Sequence, residues 1–95
     1  MYQEKKTKSD DEILLEIKEL KKSFDSCWFA INENYNLTAV ARNNILFEED
    51  VMPSFAVLLF LRKTSDDSLV DFAIVKYDDN EAIKNAINQL KGYAK

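Results

Sequence analysis

The segment Phe-Ala-Val-Leu-Leu-Phe-Leu, from Phe55 to Leu61, contains seven consecutive residues without a polar side chain. A β-strand points alternate side chains to opposite faces of its sheet. As a strand, this run divides into odd-numbered and even-numbered residues: Phe55, Val57, Leu59 and Leu61 against Ala56, Leu58 and Phe60. Both faces then need apolar cover. Because a chain of 95 residues has few elements to supply it, we expect part of the cover to come from another chain.

A second apolar segment, Leu69 to Tyr77, follows a polar loop from Thr64 to Ser68. The two segments predict an antiparallel hairpin. Alternation would place one set of residues on one face, Val70, Phe72 and Ile74, and another set on the opposite face, Leu69, Ala73 and Val75. Either two helices cover opposite faces of this hairpin, or both cover one face and the other meets a partner. A monomer whose own helices close the core is the alternative to a docking surface.

The N-terminal part predicts an amphipathic helix that begins at Ser9. Ser9 and Glu12 form an S-x-x-E capping box. The apolar residues that follow recur at helical spacing: Ile13, Ile17, Leu20 and Phe24. We expect a break near Asp25 or Ser26. The alternative is a helix that continues to Asn32, which would favour coiled-coil pairing.

A first hairpin is predicted after this break, with strands Cys27–Ile31 and Leu37–Arg42. Asparagine-rich residues 32–36 separate the strands, and asparagine tolerates the positive φ of tight turns. Asn43 and Asn44 predict another turn. Residues 45–52 are interpreted as a short strand or an irregular turn, which Pro53 ends.

The C-terminal part predicts a second helix, capped by Asp78 or Asp79. Its inner stripe consists of four apolar residues, Ile83, Ala86, Ile87 and Leu90, and Gly92 can end it. The fold class is therefore α+β: a mostly antiparallel four-stranded sheet of two hairpins, flanked by N- and C-terminal helices in the order α-β-β-β-β-α. We expect a flexible polar arm at 1–8 and a single domain at 9–95.

The composition argues against several classes of function. The chain has no histidine, one glycine and one cysteine. These absences remove the commonest general base, P-loops and dinucleotide fingerprints, and an internal disulfide. We expect no catalysis, no cofactor and no metal site. A net charge of -4 argues against a general nucleic-acid binder, and neither a signal peptide nor a membrane span is predicted, so a cytoplasmic location is expected.

Four further features are interpreted as structural. The acidic clusters at 48–50, 66–67 and 78–81 lack EF-hand spacing and suit loops and helix caps. The lysines of the N-terminal quarter suit a solvated surface. Cys27 is interpreted as an inert buried thiol. The aromatic residues that could stack on bases are instead expected to pack in the core: Trp28, Phe29, Tyr35 and Phe47.

The leading functional hypothesis is a small protein-interaction module of the adaptor, immunity-factor or mobile-element-encoded inhibitor type. Its partner would be a second copy, giving a homodimer, or another protein. The candidate partner-binding residues lie on the second hairpin: Phe55, Val57, Leu59, Leu61, Val70, Phe72 and Ile74. Two alternatives remain: a nucleic-acid-associated regulator that uses the Lys-rich N-terminal region, and a small enzyme that uses Asp71, Lys76 and Tyr77.

Overall fold

The computed structural model describes residues 8–94, so the predicted polar arm at 1–8 lies outside the described residues except for Lys8. It contains six regular elements: α1 (Asp10–Ile17), β1 (Ser26–Ala30), β2 (Tyr35–Ile45), β3 (Ser54–Lys63), β4 (Leu69–Lys76) and α2 (Asn80–Gly92). The strands form one antiparallel sheet in the order β1-β2-β3-β4. The predicted fold class and element order are confirmed.

Helix α1 begins as predicted but ends early. The Ser9 side chain accepts a hydrogen bond from the Glu12 N–H, and the Glu12 carboxylate accepts one from the Ser9 N–H, which completes the capping box. The helix ends at Ile17, not near Asp25. The reason lies in the next turn, where the Asp25 carboxylate accepts hydrogen bonds from two backbone N–H groups, those of Lys21 and Lys22.

Phe24 therefore does not extend the buried stripe of α1. Its φ is 75° and its side chain is 70% exposed. Its backbone N–H donates to the Ala41 carbonyl on β2, at 2.7 Å, so the chain is already hydrogen-bonded to the sheet just before β1 begins. A helix to Asn32 is wrong for the same reason, since β1 occupies Ser26–Ala30.

The turn between β1 and β2 is built by a side chain and not by positive φ. The Asn32 carboxamide oxygen accepts hydrogen bonds from the N–H groups of Asn34 and Tyr35, at 2.8 and 3.0 Å, as in an Asx turn. Asn44 does have positive φ, 59°. It lies in an irregularity between Arg42 and Ile45, and β2 continues through it, so the turn predicted at Asn43–Asn44 is wrong.

Both helices pack on the same face of the sheet, which we call the inner face. The buried residues of α1 and α2 form one cluster with inner-face residues of β1, β2 and β3, and partly buried residues of β4 pack against it. The predicted stripe of α2 is entirely buried, and Asp79 caps this helix by accepting a hydrogen bond from the Ala82 N–H. Two ion pairs join the helices, Lys84 with Asp11 and Lys91 with Asp10, each at 2.7 Å. The opposite side, the outer face, receives no helix from residues 8–94.

Candidate binding surface on the outer face of the sheet

The strand register arranges the outer face in rows that run across the sheet. One row crosses all four strands and is largely aromatic: Trp28, Thr38, Phe60 and Phe72. The next row is largely aliphatic: Ser26, Val40, Leu58 and Ile74. We call these the aromatic row and the aliphatic row. Together they form a continuous apolar surface across the middle of the outer face.

This apolar surface is open to solvent. Trp28, Phe72 and Ile74 are 59%, 52% and 43% exposed. On the inner face, by contrast, Val57 and Leu59 have no exposed surface. Contiguous exposed apolar patches on a sheet are typical of interaction sites or grooves, and single exposed hydrophobic residues are not. The outer face is of the first kind because Phe72 and Ile74 lie side by side on β4, and the half-buried Thr38 and Phe60 connect Phe72 to Trp28 across the sheet.

Cations lie at both ends of the outer face. Arg42 and Lys76 flank Ala56 at one end, and Arg62 follows the aromatic row at the other. Within residues 8–94 no carboxylate lies among the outer-face residues of the strands, since Asp71 is the only acidic residue in the four strands described there and lies opposite the inner-face residue Leu61. The surface therefore has an apolar middle and cationic ends.

Both arginines are held against aromatic rings. The Arg62 guanidinium lies 5.3 Å from the Phe60 ring centroid, and that of Arg42 lies 4.7 Å from the Phe24 ring. Neither arginine forms an ion pair in the part of the chain that the structure describes, whereas Lys8, Lys76, Lys84 and Lys91 each do. The Nε of Arg42 is buried, and no atom of the described residues forms a hydrogen bond with it. Arginine prefers bidentate carboxylate partners, and here that preference is not met.

The loop between β2 and β3 borders the Arg42 end of the outer face. Asp50 pairs with Lys76 at 2.6 Å, and the Lys76 ammonium lies 5.6 Å from the Phe47 ring centroid. The hydrogen bond to Asp50 raises the pKa of Lys76. Three large apolar side chains of this loop are exposed: Leu46, Val51 and Met52.

The seven residues predicted to bind a partner fall on two different faces. Four pack towards the helices: Val57, Leu59 and Leu61, which have no exposed surface, and Phe55, whose half-buried ring packs against Tyr77 at 4.8 Å. The odd-numbered residues of β3 therefore face the core. The partner-binding role itself remains a prediction, which now applies to the even-numbered residues of this strand.

Val70 does not share a face with Phe72 and Ile74. A register shift between Leu61 and Arg62 places Leu61 opposite Asp71 and Arg62 opposite Leu69, which leaves Val70 as an extra residue. A bulge of this kind changes the parity of the residues before it. Val70 consequently packs against the core, and only Phe72 and Ile74 of the predicted set lie on the outer face.

Sequence reasoning missed several outer-face residues. Trp28 was expected in the core, and Val40, Leu58, Phe60 and the two arginines were not selected. A usable signal lies in β2, where the polar residues Thr38 and Arg42 share the parity of Val40. The even-numbered residues of β2 therefore indicate which face is uncovered. The strand register then identifies the residues of β1 and β3 that lie on the same face.

The residues proposed for catalysis do not converge. Lys76 lies on the outer face with Asp50, whereas the Tyr77 hydroxyl donates to the Lys18 carbonyl beneath the sheet. Asp71 lines a cavity of about 350 Å³ between β4 and α2, together with Ala86, Leu90 and Tyr93. A hydrogen bond with Asp71 raises the pKa of Tyr93. Asp71 is thus paired with Tyr93, and neither Lys76 nor Tyr77 lies among the residues that line this cavity.

The acidic clusters at 66–67 and 78–81 contribute to a loop and a helix cap. Asp66 accepts hydrogen bonds from the hydroxyl and N–H of Ser68, and these bonds lower its pKa. Asp79 caps α2. Among residues 8–94 no group of three or more acidic or cysteine side chains could hold a metal ion.

The surroundings of Cys27 and of two N-terminal lysines, Lys8 and Lys18, fit structural roles. Burial raises the pKa of the Cys27 thiol to about 11, which is the opposite of activation. Lys8 pairs with Glu16, and the Lys18 ammonium lies 3.9 Å from the Tyr77 ring centroid. These contacts tie the described part of the Lys-rich region to its own fold.

Comparisons with protein-family models, with curated proteins and with solved structures found no match. No helix within residues 8–94 combines the length and the apolar composition that a membrane crossing requires. The geometry of the outer face is therefore the basis for the functional proposal.

Proposed function

We propose that this protein is a small, non-catalytic interaction module that binds another protein through the outer face of its sheet. The single observation that carries the proposal is the pair of apolar rows left open to solvent while both helices pack on the inner face. Covering large apolar side chains contributes about 1.5–3 kcal/mol each, so a partner on this surface would gain substantial binding free energy.

A cytoplasmic location belongs to the same proposal. Its support is the single Cys27, which cannot form a disulfide within the chain, as is usual in a reducing compartment. The roles predicted for such a module, as an adaptor, immunity factor or inhibitor, require only a docking surface.

Site-specific photo-crosslinking tests this function. A benzophenone amino acid replaces Phe72 in the outer face, and in a second variant it replaces Leu15 of α1, which is also exposed but lies in the helix layer. We expect irradiation of cells that naturally carry the protein to give discrete protein adducts at position 72 and few at position 15. Mass spectrometry then identifies the crosslinked chain.

Three outcomes separate the possible partners. An adduct with the same sequence indicates the predicted homodimer, and an adduct with another sequence indicates a heteropartner. Absence of protein adducts at position 72, or an identical pattern at position 15, would contradict the proposed function.

A second candidate function is binding of single-stranded nucleic acid. The observation that favours it is the aromatic row, with Arg62 beside Phe60, because exposed aromatic side chains with arginine can stack on bases. The net charge of -4 disfavours it. Anisotropy of a labelled oligonucleotide at low salt tests it, and a steep loss of binding on adding salt is expected if phosphates are contacted.

A further inference from the structure

The outer face also specifies what kind of protein segment fits it. We propose that its occupant is an acidic amphipathic helix of a different protein, with an apolar stripe for the two rows and carboxylates for Arg42 and Arg62. This inference rests on the proposed function and names the chemistry of the partner.

The charge of the surface points to an acidic occupant. The chain has 17 acidic and 13 basic residues, yet neither arginine forms an ion pair within residues 8–94. Lys76, the third cation of the face, is already paired with Asp50. Carboxylates on a partner would complement two arginines that the acidic residues within 8–94 leave without an ion pair.

The same charges disfavour a second copy on this face. In a two-fold pair the face meets itself. Because the described strand residues of the outer face include two arginines without an ion pair and no carboxylate, two such faces would bring arginines together. Like charges across an interface oppose association, so the occupant is better supplied by another protein.

The face of a sheet also selects the conformation of its occupant. An extended peptide needs hydrogen-bond partners for its backbone, which it finds at a sheet edge. The backbone of β2 and β3 is already paired on both sides, and a face offers only side chains. A helix satisfies its own backbone, as α1 and α2 do on the inner face. At the β4 edge, the irregularity at Val70 interrupts the regular pattern that an added strand requires.

The spacing of the arginines sets the length of the occupant. Arg42 lies opposite Ala56, six positions along β3 from Arg62, which corresponds to about 20 Å in a strand. A helix covers this distance with about 13 residues. The expected occupant therefore has an apolar stripe of three to four turns with Asp or Glu near both ends.

Two designed peptides test the inference. They share one helical apolar stripe of this length and lack tryptophan, and one carries Glu at both ends where the other carries Lys. Trp28 is the only tryptophan of the chain and lies in the aromatic row, so its fluorescence reports binding to the full chain. We expect the Glu peptide to bind about tenfold more tightly than the Lys peptide, since two exposed ion pairs replace two repulsions.

Paired variants test the role of the arginines. Arg42→Glu with Arg62→Glu should reverse the preference in favour of the Lys peptide. The matched control, Lys21→Glu with Lys84→Glu, changes the net charge equally at residues outside the sheet and should keep the preference for the Glu peptide. Circular dichroism checks that each variant is folded.

Three results from the peptide and protein-concentration experiments would overturn the inference. They are equal or tighter binding of the Lys peptide, binding of neither peptide, and a change in Trp28 fluorescence with protein concentration alone, which would place a second copy on the face. Quenching by an oligonucleotide without binding of the Glu peptide would also overturn it in favour of nucleic acid. Protein adducts at position 72 alongside any of these results would leave the proposed function standing, so the two failures are distinguishable.

Discussion

Leu58 and Leu59 are adjacent in the sequence and lie in different environments. Leu59 has no exposed surface and packs beneath the helices, whereas Leu58 lies half-buried in the aliphatic row of the outer face. Sequence alone predicted the strand and its two apolar sides. It did not predict which side faces solvent, because both parities of Phe55–Leu61 are equally apolar.

Substitution of the two leucines separates core from surface. We expect Leu59→Ala to lower the free energy of unfolding by about 3 kcal/mol, since it leaves a cavity in the core. Leu58→Ala should cost about 1 kcal/mol or less, because Leu58 is only half-buried on the outer face. Urea unfolding followed by circular dichroism measures both. Equal losses would contradict the assignment of the outer face.

Asp25 gives a pH-dependent contribution to stability. Hydrogen bonds from the Lys21 and Lys22 N–H groups lower its pKa below the ordinary value of 3.8. A carboxylate whose pKa is lower in the folded state stabilises the fold above its unfolded pKa and loses that contribution as the pH falls.

Asp25→Asn should therefore reduce thermal stability at neutral pH and have little effect in acid below the folded-state pKa. Melting temperatures across an acid-to-neutral series measure this difference. Glu33→Gln, in an exposed turn, removes a carboxylate without such bonds and serves as the control. A loss of the same size at every pH would contradict the mechanism.

At the scale of elements, the strands and α2 followed from pattern, whereas the end of α1 and the irregularities in β2 and β4 did not. Alternation and apolar runs placed all four strands, and the stripe from Ile83 to Leu90 placed α2. Helix α1 ended early because backbone hydrogen bonds to Asp25 compete with the hydrogen bonds of the helix. The spacing of apolar residues does not reveal that competition. The bulge at Val70 likewise changed one parity without a glycine or proline to indicate it.

The Asn32 turn yields an element-scale prediction. The Asn32 side chain accepts two backbone hydrogen bonds and donates a third to the Ala94 carbonyl, at 2.6 Å. Asn32→Ala should lower the free energy of unfolding by about 1–2 kcal/mol. Asn34→Ala, in the same turn, is the control and should have a smaller effect. Chemical denaturation compares them, and equal effects would show that the turn does not depend on the Asn32 side chain.

At the scale of the whole molecule, the helix layer and the sheet leave the two faces of the sheet with different roles. The helices and the inner face form the core, and the outer face remains as a surface with apolar rows and cationic ends. The sequence predicted that a chain of this size would leave the apolar strand Phe55–Leu61 incompletely covered. It did not predict the charge pattern, since the positions of Arg42 and Arg62 on one face depend on the register of β2 with β3.

Replacement of exposed residues of the outer face should leave the fold intact. Phe72→Ser with Ile74→Thr removes two exposed apolar side chains, and we expect a change in unfolding free energy of about 1 kcal/mol or less, with higher solubility. Urea unfolding and the precipitant concentration at half-maximal solubility measure these quantities. Unfolding of the double variant would indicate that both side chains belong to the core.

Acrylamide quenching of Trp28 in the dilute purified protein tests most directly whether the outer face is free for a partner. With no occupant present, Trp28 should be quenched nearly as efficiently as free tryptophan, and binding of the acidic peptide should protect it. Strong protection of Trp28 in the isolated single subunit would mean that the chain covers this face itself, which would contradict the docking surface.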